Sequence, residues 1–224
     1  MPRLSRPRSR VAASALLALL LLLPGAGSGI GQSTSAGEQG AGWEPLFDGK
    51  TLANWKRTQF IGEGAVAVEN GQIVMEPGKP LTGITWTGSP LPRTNYELAL
   101  EAMRLDGSDF FAGITFPVDD SHVSLILGGW GGTVVGLSSI NGIDASENDT
   151  SQSIEFESNR WYDVRIRVTP AKIEAWLDGR QIIDQELKGR TVDTRIEVEP
   201  SQPLGIAAYR TRSALRNIRL RTLS

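Results

Sequence analysis

From Trp43 onward the chain alternates apolar and polar residues over short runs, and tight-turn pairs punctuate those runs. A period of two residues places every second side chain on one face of a strand, so each run can bury one face only. In NYELALEAMR, Tyr96, Leu98, Leu100 and Ala102 share one side, with Glu97 and Glu101 on the other. WYDVRIRV sets Tyr162, Val164, Ile166 and Val168 against Asp163, Arg165 and Arg167. FFAGITF predicts Phe110, Ala112, Ile114 and Phe116 inward, with Phe111, Gly113 and Thr115 opposite. LGIAAYR and LRNIRLRTL read as strands, the second with Ile218 and Leu220 inward and Arg219 and Arg221 outward.

The turns fit the same architecture. Asn70-Gly71 inside AVAVENGQIVM and Asp178-Gly179 inside KIEAWLDGRQIID are pairs suited to the left-handed conformations of type I′ hairpins. FPVDDSH, with Asp119 and Asp120, reads as another hairpin turn. No segment carries a sustained helical period, and prolines fall between runs. A single sheet would leave an apolar face in water, so roughly a dozen strands in one domain predict two packed sheets. The expected fold is all-β, a two-sheet antiparallel jelly-roll sandwich.

The N-terminal segment reads differently. MPRLSRPRSR carries arginines and no acid, an apolar run follows, and small residues come after it, with Thr34 and Ala36 placed as a cleavage site. This pattern predicts a secretory signal peptide over residues 1–36. The apolar run is short for a bilayer span of about 20 residues. A retained anchor is the alternative. Residues 37–42 form a polar lead-in, and 43–224 the sandwich domain. The expected location is secreted or periplasmic, with no stable membrane span after cleavage. The chain has no cysteine, so no disulfide supports the fold.

Of 23 basic and 25 acidic residues, four arginines lie in the predicted signal, leaving the domain at net −6. A mildly acidic domain offers no electrostatic footprint for nucleic acid.

The opening GWEPLFDGKTLANWK resembles the start of the 3-keto-disaccharide hydrolase domain family through Trp43, Leu46, Phe47, Asp48, Gly49, Lys50 and Trp55. RWYDVRIRV, IEAWLDG and LRNIRLRTL resemble the family's closing strands, which concanavalin-like and laminin-G-like sandwiches share more loosely. The resemblance covers residues 43 to 222. It implies an exported domain acting on glycosides already oxidised at C3 of the sugar, or a sugar-binding relative. The ketone acidifies the C2 hydrogen. A base removes that proton, the enolate expels the group on C1, and water adds back. Paired carboxylates of the ordinary glycosidase kind are not required. Within those residues, Asp48-Gly49 reads as a turn whose carboxylate bonds nearby amides, with Leu46, Phe47 and Trp55 plugging one end of the sandwich.

The base candidate is His122, the one histidine, whose ordinary pKa lies near neutrality. In SHVSLIL it shares a face with Ser124 and Ile126, away from the core stripe of Val123, Leu125 and Leu127. Many family members carry an acid in this strand, where the present chain has none. Trp130, between glycine pairs in GGWGG, is a candidate sugar platform or a cap on the core. The glycines fail the dinucleotide pattern, and no Gly-Lys-Ser/Thr follows. Phe111, off its strand's core stripe, is a second platform candidate. Arg210 is a candidate donor to the enolate or to a hydroxyl.

NGIDASENDT concentrates oxygen ligands, with Asn141 and Asp144 as candidate substrate contacts. Asp144, Glu147 and Asp149 could hold a divalent cation such as calcium, although the spacing is not that of the twelve-residue calcium loop. Asn148 also heads a formal glycosylation acceptor. Three functions are therefore open: a 3-keto-glycoside lyase or hydrolase, a non-catalytic carbohydrate-binding module, and a cell-surface interaction domain.

Overall fold

The computed structural model describes residues 42–224, so the predicted signal peptide lies outside the described residues. In chain order the first strands are β1 (Glu44–Pro45), β2 (Trp55–Arg57), β3 (Val66–Glu69), β4 (Gln72–Met75) and β5 (Leu81–Trp86). Next come β6 (Tyr96–Asp106), β7 (Ala112–Val118), β8 (Ser121–Gly129), β9 (Val134–Ser138) and β10 (Gln152–Ser153). The last are β11 (Trp161–Val168), β12 (Lys172–Leu177), β13 (Arg180–Glu186), β14 (Gly205–Tyr209) and β15 (Arg212–Thr222). A single 3-10 turn, Ile196–Ser201, precedes β14.

These strands form two antiparallel sheets. One runs β13-β12-β11-β6-β15-β4-β3, with β1 added against β15; the other runs β10-β9-β8-β7-β14-β5-β2. The strands expected from alternation pack their apolar sides between the sheets. Tyr96, Leu98 and Leu100 of β6 and Val164 and Ile166 of β11 join Ile114, Val123 and Leu125 of the second sheet in one core. Burial of each such side chain contributes about 1.5–3 kcal/mol.

Both predicted type I′ hairpins form. Asn70 and Gly71 have φ of 51° and 80°, and Asp178 and Gly179 have φ of 50° and 78°. Asp48 accepts the Lys50 and Thr51 amides at 2.7 Å each, which fixes the turn. Trp55, buried beside Trp86 at a centroid separation of 5.3 Å, donates its indole N–H to the Leu46 carbonyl. The residues of the opening signature therefore hold one end of the sandwich together.

Two expectations from alternation fail. Glu97, placed on the solvent side, has a fully buried side chain, because Arg165, Arg167 and Arg221 close over it at 3.0, 2.8 and 2.6 Å. Stacking of the first two arginines on Trp176 completes the cover, with Arg165 3.9 Å from the ring centroid. Phe110 and Phe111 exchange their predicted faces. The β7 ladder starts only at Ala112, opposite Leu127, so both phenylalanines precede it and its alternation does not extend to them. Phe111 turns into the core (0% exposed), edge-on to Phe156 at 5.0 Å, and Phe110 lies on the outer face.

Candidate functional site

The outer face of the second sheet is built from small side chains. Cross-strand register places Gly83 of β5, Ala207 of β14, Gly113 of β7, Ile126 of β8 and Gly136 of β9 in one row. The glycines let other groups lie directly on the strands. A Cβ at Gly113 would stand 3.1 Å from the Phe110 ring, and one at Gly83 would stand 3.0 Å from the Phe60 ring. One at Gly205 would meet the Ser201 carbonyl at 2.5 Å.

A strap over residues 191–203 forms much of the second layer. Its start is pinned beside the end of β9: the Asn141 carboxamide oxygen accepts the Thr191 amide, and Ser139 and Asp193 exchange amide bonds at 2.6 and 3.2 Å. The 3-10 turn then carries it to β5 and β14, where Thr85 donates its hydroxyl to the Pro200 carbonyl at 3.0 Å. Phe60, Leu81 and Ala207, with Phe110, Val198 and Tyr209 against them, make a second apolar cluster under this layer.

Between strap and sheet lies a cavity of about 380 Å³. Its apolar wall includes Pro80, Leu81, Phe110, Val198 and Tyr209; the Phe110 and Tyr209 rings are 5.7 Å apart. Ser124, Ile126 and Ser138 contribute from the sheet, and Asp109, Arg195 and Glu197 bring charge. Trp130 also lines the cavity, 44% exposed and at φ 47°. A bulky residue at positive φ is uncommon and occurs where the surroundings hold it.

Those surroundings centre on Arg104. Its buried guanidinium donates to the Asp109 carbonyl at 3.2 Å and the Gly132 carbonyl at 2.9 Å, with Phe111 and Phe156 beneath it at 5.3 and 5.9 Å. Burial pulls its pKa down. One arginine thus ties the loop carrying Asp109 to the loop carrying Trp130.

The charged groups of the cavity are unequally engaged. Glu197 receives both Nε and a terminal nitrogen of Arg195, at 3.3 and 3.0 Å, and this pairing holds its carboxyl below its usual range. The other terminal nitrogen of Arg195 bonds Asp144, whose second oxygen accepts the Ser138 hydroxyl at 3.3 Å. Asp109 commits one oxygen to the Phe110 amide at 2.8 Å and has no ion-pair partner among the described residues.

Of the residues picked from sequence, Trp130 lines the cavity and Asp144 reaches it through Ser138 and Arg195. His122 shares the β8 face with Ser124 but lies outside the lining, with Pro117 opposite it. Its Nε2 is buried without a hydrogen-bond partner, and burial, then the nearby Arg93 charge, lower its pKa, against a weaker pull from Asp193. Asn141 is spent on the strap. Arg210 is exposed, stands over the Tyr209 ring at 5.4 Å and does not line the cavity. Phe111 is corrected to a core residue; Phe110 holds the position sought for it.

Asp144, Glu147 and Asp149 do not gather, and no group of three or more metal-ligating side chains occurs among the described residues. Asp149 is instead paired with Arg190 at 2.7 Å. Asn148 is buried, its amide donating to the Leu137 and Ile143 carbonyls at 2.7 and 2.9 Å, so it does not present an acceptor for a glycan.

Asp109, Phe110, Arg195, Glu197 and Tyr209 were missed. They sit in loops or at strand ends far apart in sequence, and only the Gly-rich outer face hints that something must lie on it.

The 3-keto-alpha-glucoside-1,2-lyase-like domain family matches residues 42–221. The chain belongs to this family. No curated protein matches the chain in sequence. Among solved structures, a Parabacteroides distasonis ATCC 8503 protein provisionally named a glycosyl hydrolase is similar at 14% identity and TM-score 0.54, covering 85% of this chain and 98% of its own. A chain from the endo-acting O-glycanases with which human gut microbiota initiate mucin breakdown is similar at 13% identity and TM-score 0.55, covering 81% of this chain and 100% of its own. The Crh5 transglycosylase in complex with NAG is similar at 12% identity and TM-score 0.54, over 82% of this chain and 85% of its own. At these identities the likeness is one of fold. The lyase-like domain described here thus has a carbohydrate-active family, a sandwich fold and a partly apolar cavity on one outer sheet face.

Proposed function

We propose that the cavity binds a 3-keto-glycoside and cleaves it by elimination followed by hydration. The observation that carries this reading is the presence, in one cavity, of an exposed indole, an unpaired carboxylate and a guanidinium held in place by two acids. The carbon-hydrogen face of the keto-sugar packs on Trp130. Asp109, with one oxygen uncommitted, removes the C2 proton, and the electron pair moves into a C2–C3 double bond with negative charge on the C3 oxygen. The enolate reforms the ketone, the C1–oxygen bond breaks, and the departing group takes a proton. Water then adds at C1 and a proton returns to C2, giving the free 3-keto-sugar.

Each terminal nitrogen of Arg195 has one N–H left after its bonds to Glu197 and Asp144, so the guanidinium can donate to the enolate oxygen without giving up either pair. Asp109 replaces His122 as the base in this reading because His122 does not line the cavity. The domain would act outside the cytoplasm, exported by residues 1–36; N-terminal sequencing of the exported protein should begin after Ala36.

Incubation of the protein with methyl 3-keto-α-glucoside should release methanol, and Trp130→Ala should raise KM about two- to tenfold, since aromatic packing of this kind is worth about 0.5–1.5 kcal/mol. Retained sugar binding without methanol release would favour the non-catalytic binding module. Neither binding nor release would favour an interaction domain.

A further inference from the structure

The reaction proposed above leaves one proton without a source: the departing group must take one as the C1–oxygen bond breaks. An alkoxide is too basic to depart readily without it, so a general acid in the cavity has to supply it. Asp109 is badly placed to do so. In an α-glucoside the C2 hydrogen and the C1 oxygen project to opposite faces of the ring. The carboxylate that takes the first is therefore out of reach of the second.

The remaining polar lining narrows the choice. Arg195 keeps its protons, because a guanidinium is not deprotonated in proteins and its bonds to Glu197 hold them more firmly still. Glu197 has none to give, since the same pairing keeps its carboxyl ionised. The Ser124 hydroxyl is bonded to that of Thr115 at 2.8 Å, and Ser138 donates to Asp144 at 3.3 Å. Neither serine is a stronger acid than the alcohol being released. The Trp130 indole N–H can donate a hydrogen bond but does not part with its proton. That leaves Tyr209, a phenol that lines the cavity and whose hydroxyl has no hydrogen-bond partner among the described residues.

The fold ties this phenol to the base. The Tyr209 amide donates to the Phe110 carbonyl at 3.0 Å, and the Asp109 amide donates to the Thr211 hydroxyl at 3.2 Å. Two bonds thus join the stretch carrying Asp109 to the stretch carrying Tyr209, and the Phe110 and Tyr209 rings pack 5.7 Å apart. Resting on the lyase reading, we infer that Tyr209 is the general acid of the elimination. Its O–H proton passes to the leaving oxygen, which keeps the electron pair of the broken C1–oxygen bond. The enolate pair becomes a C1–C2 double bond beside the reformed C3 ketone. The tyrosinate then takes a proton from water as the water oxygen adds at C1. The double-bond pair returns to the C2–C3 enolate, and protonated Asp109 gives its proton back to C2.

The test compares the full chain with its Tyr209→Phe variant on methyl and 4-nitrophenyl 3-keto-α-glucosides in D₂O. Phenylalanine keeps the ring and its packing and removes a hydroxyl that bonds no other described residue, so Tm should not change. Nitrophenoxide departs without a proton, whereas methoxide needs one. Methanol release should fall about 10²- to 10⁴-fold in the variant, and nitrophenol release by less than about tenfold. Deuterium should still enter C2 of the intact methyl compound faster than in the substrate alone, because the variant retains the base. A merely structural loss would stop exchange and release together. Equal slowing of the two compounds, unchanged methanol release, or exchange lost along with release would overturn the acid assignment and spare the lyase. Release of neither group by the wild type would remove the lyase, and the role of Tyr209 with it.

Discussion

Asp109→Asn should lower kcat on a 3-keto-α-glucoside by about 10²- to 10⁴-fold, the range general-base catalysis supplies. KM should stay near the wild-type value. Asparagine keeps an oxygen to accept the Phe110 amide, the one side-chain hydrogen bond Asp109 makes, so the loop should hold its shape. The replaced oxygen is the uncommitted one, and loss of a base there affects proton transfer alone. Glu197→Gln should behave differently. Glu197 holds Arg195 through two bonds, so its loss frees the guanidinium and should raise KM together with lowering kcat. His122→Ala should leave turnover unchanged. If His122→Ala abolishes turnover while Asp109→Asn does not, the base assignment moves back to the histidine.

Glu97→Gln should destabilise the domain by about 3–5 kcal/mol, the usual consequence of breaking a buried ion pair from one side. For a domain of this length that lowers Tm on the order of 10 °C. Glu97 is fully buried and accepts from Arg165, Arg167 and Arg221, which come from β11 and β15 on either side of β6. Glutamine would leave three arginines converging on a neutral group. Burial by itself would raise the Glu97 pKa, but the bonds from Arg167 and Arg221 and the charge of Arg165 outweigh it, so the folded-state value is lowered. The unfolded chain therefore binds this proton at a higher pH than the folded one. The stabilisation is complete above the ordinary carboxylate pKa and is lost as pH falls through the lowered folded value. Denaturant titration down the acid range should show the wild type losing stability there and Glu97→Gln losing less.

The hairpins and core stripes were legible because their causes are local. Asn70-Gly71 and Asp178-Gly179 carry their turn geometry in the pair itself, and the alternation through β6, β11 and β15 needs only neighbours in sequence. Glu97 was placed on the correct face, but its burial was not legible, because what covers it is three arginines from two other strands, one of them more than a hundred residues away. The exchange of Phe110 and Phe111 has a different origin: alternation assumes that the ladder runs through the pair, whereas the β7 ladder begins only at Ala112. Trp130 was legible through its flanking glycines, since Gly131 and Gly132 at φ 91° and 114° supply the turn that presents it. Arg195 and Glu197 carried no such sign. In sequence they are charges in a polar stretch, and they become site residues only because the strap, fixed at Ser139 and Thr85, crosses the small-residue face of the second sheet.

Elimination differs from direct hydrolysis in the fate of the C2 hydrogen, and that hydrogen can be followed. A 3-keto-α-glucoside would be cleaved in D₂O and sampled by NMR in the first turnovers, with free 3-keto-glucose alone as the exchange control. The expected result is deuterium at C2 of the released sugar, well above the control, appearing in step with release of the C1 group and abolished in Asp109→Asn. Release of the C1 group with the original hydrogen still on C2 would contradict elimination, and with it the role given to the cavity.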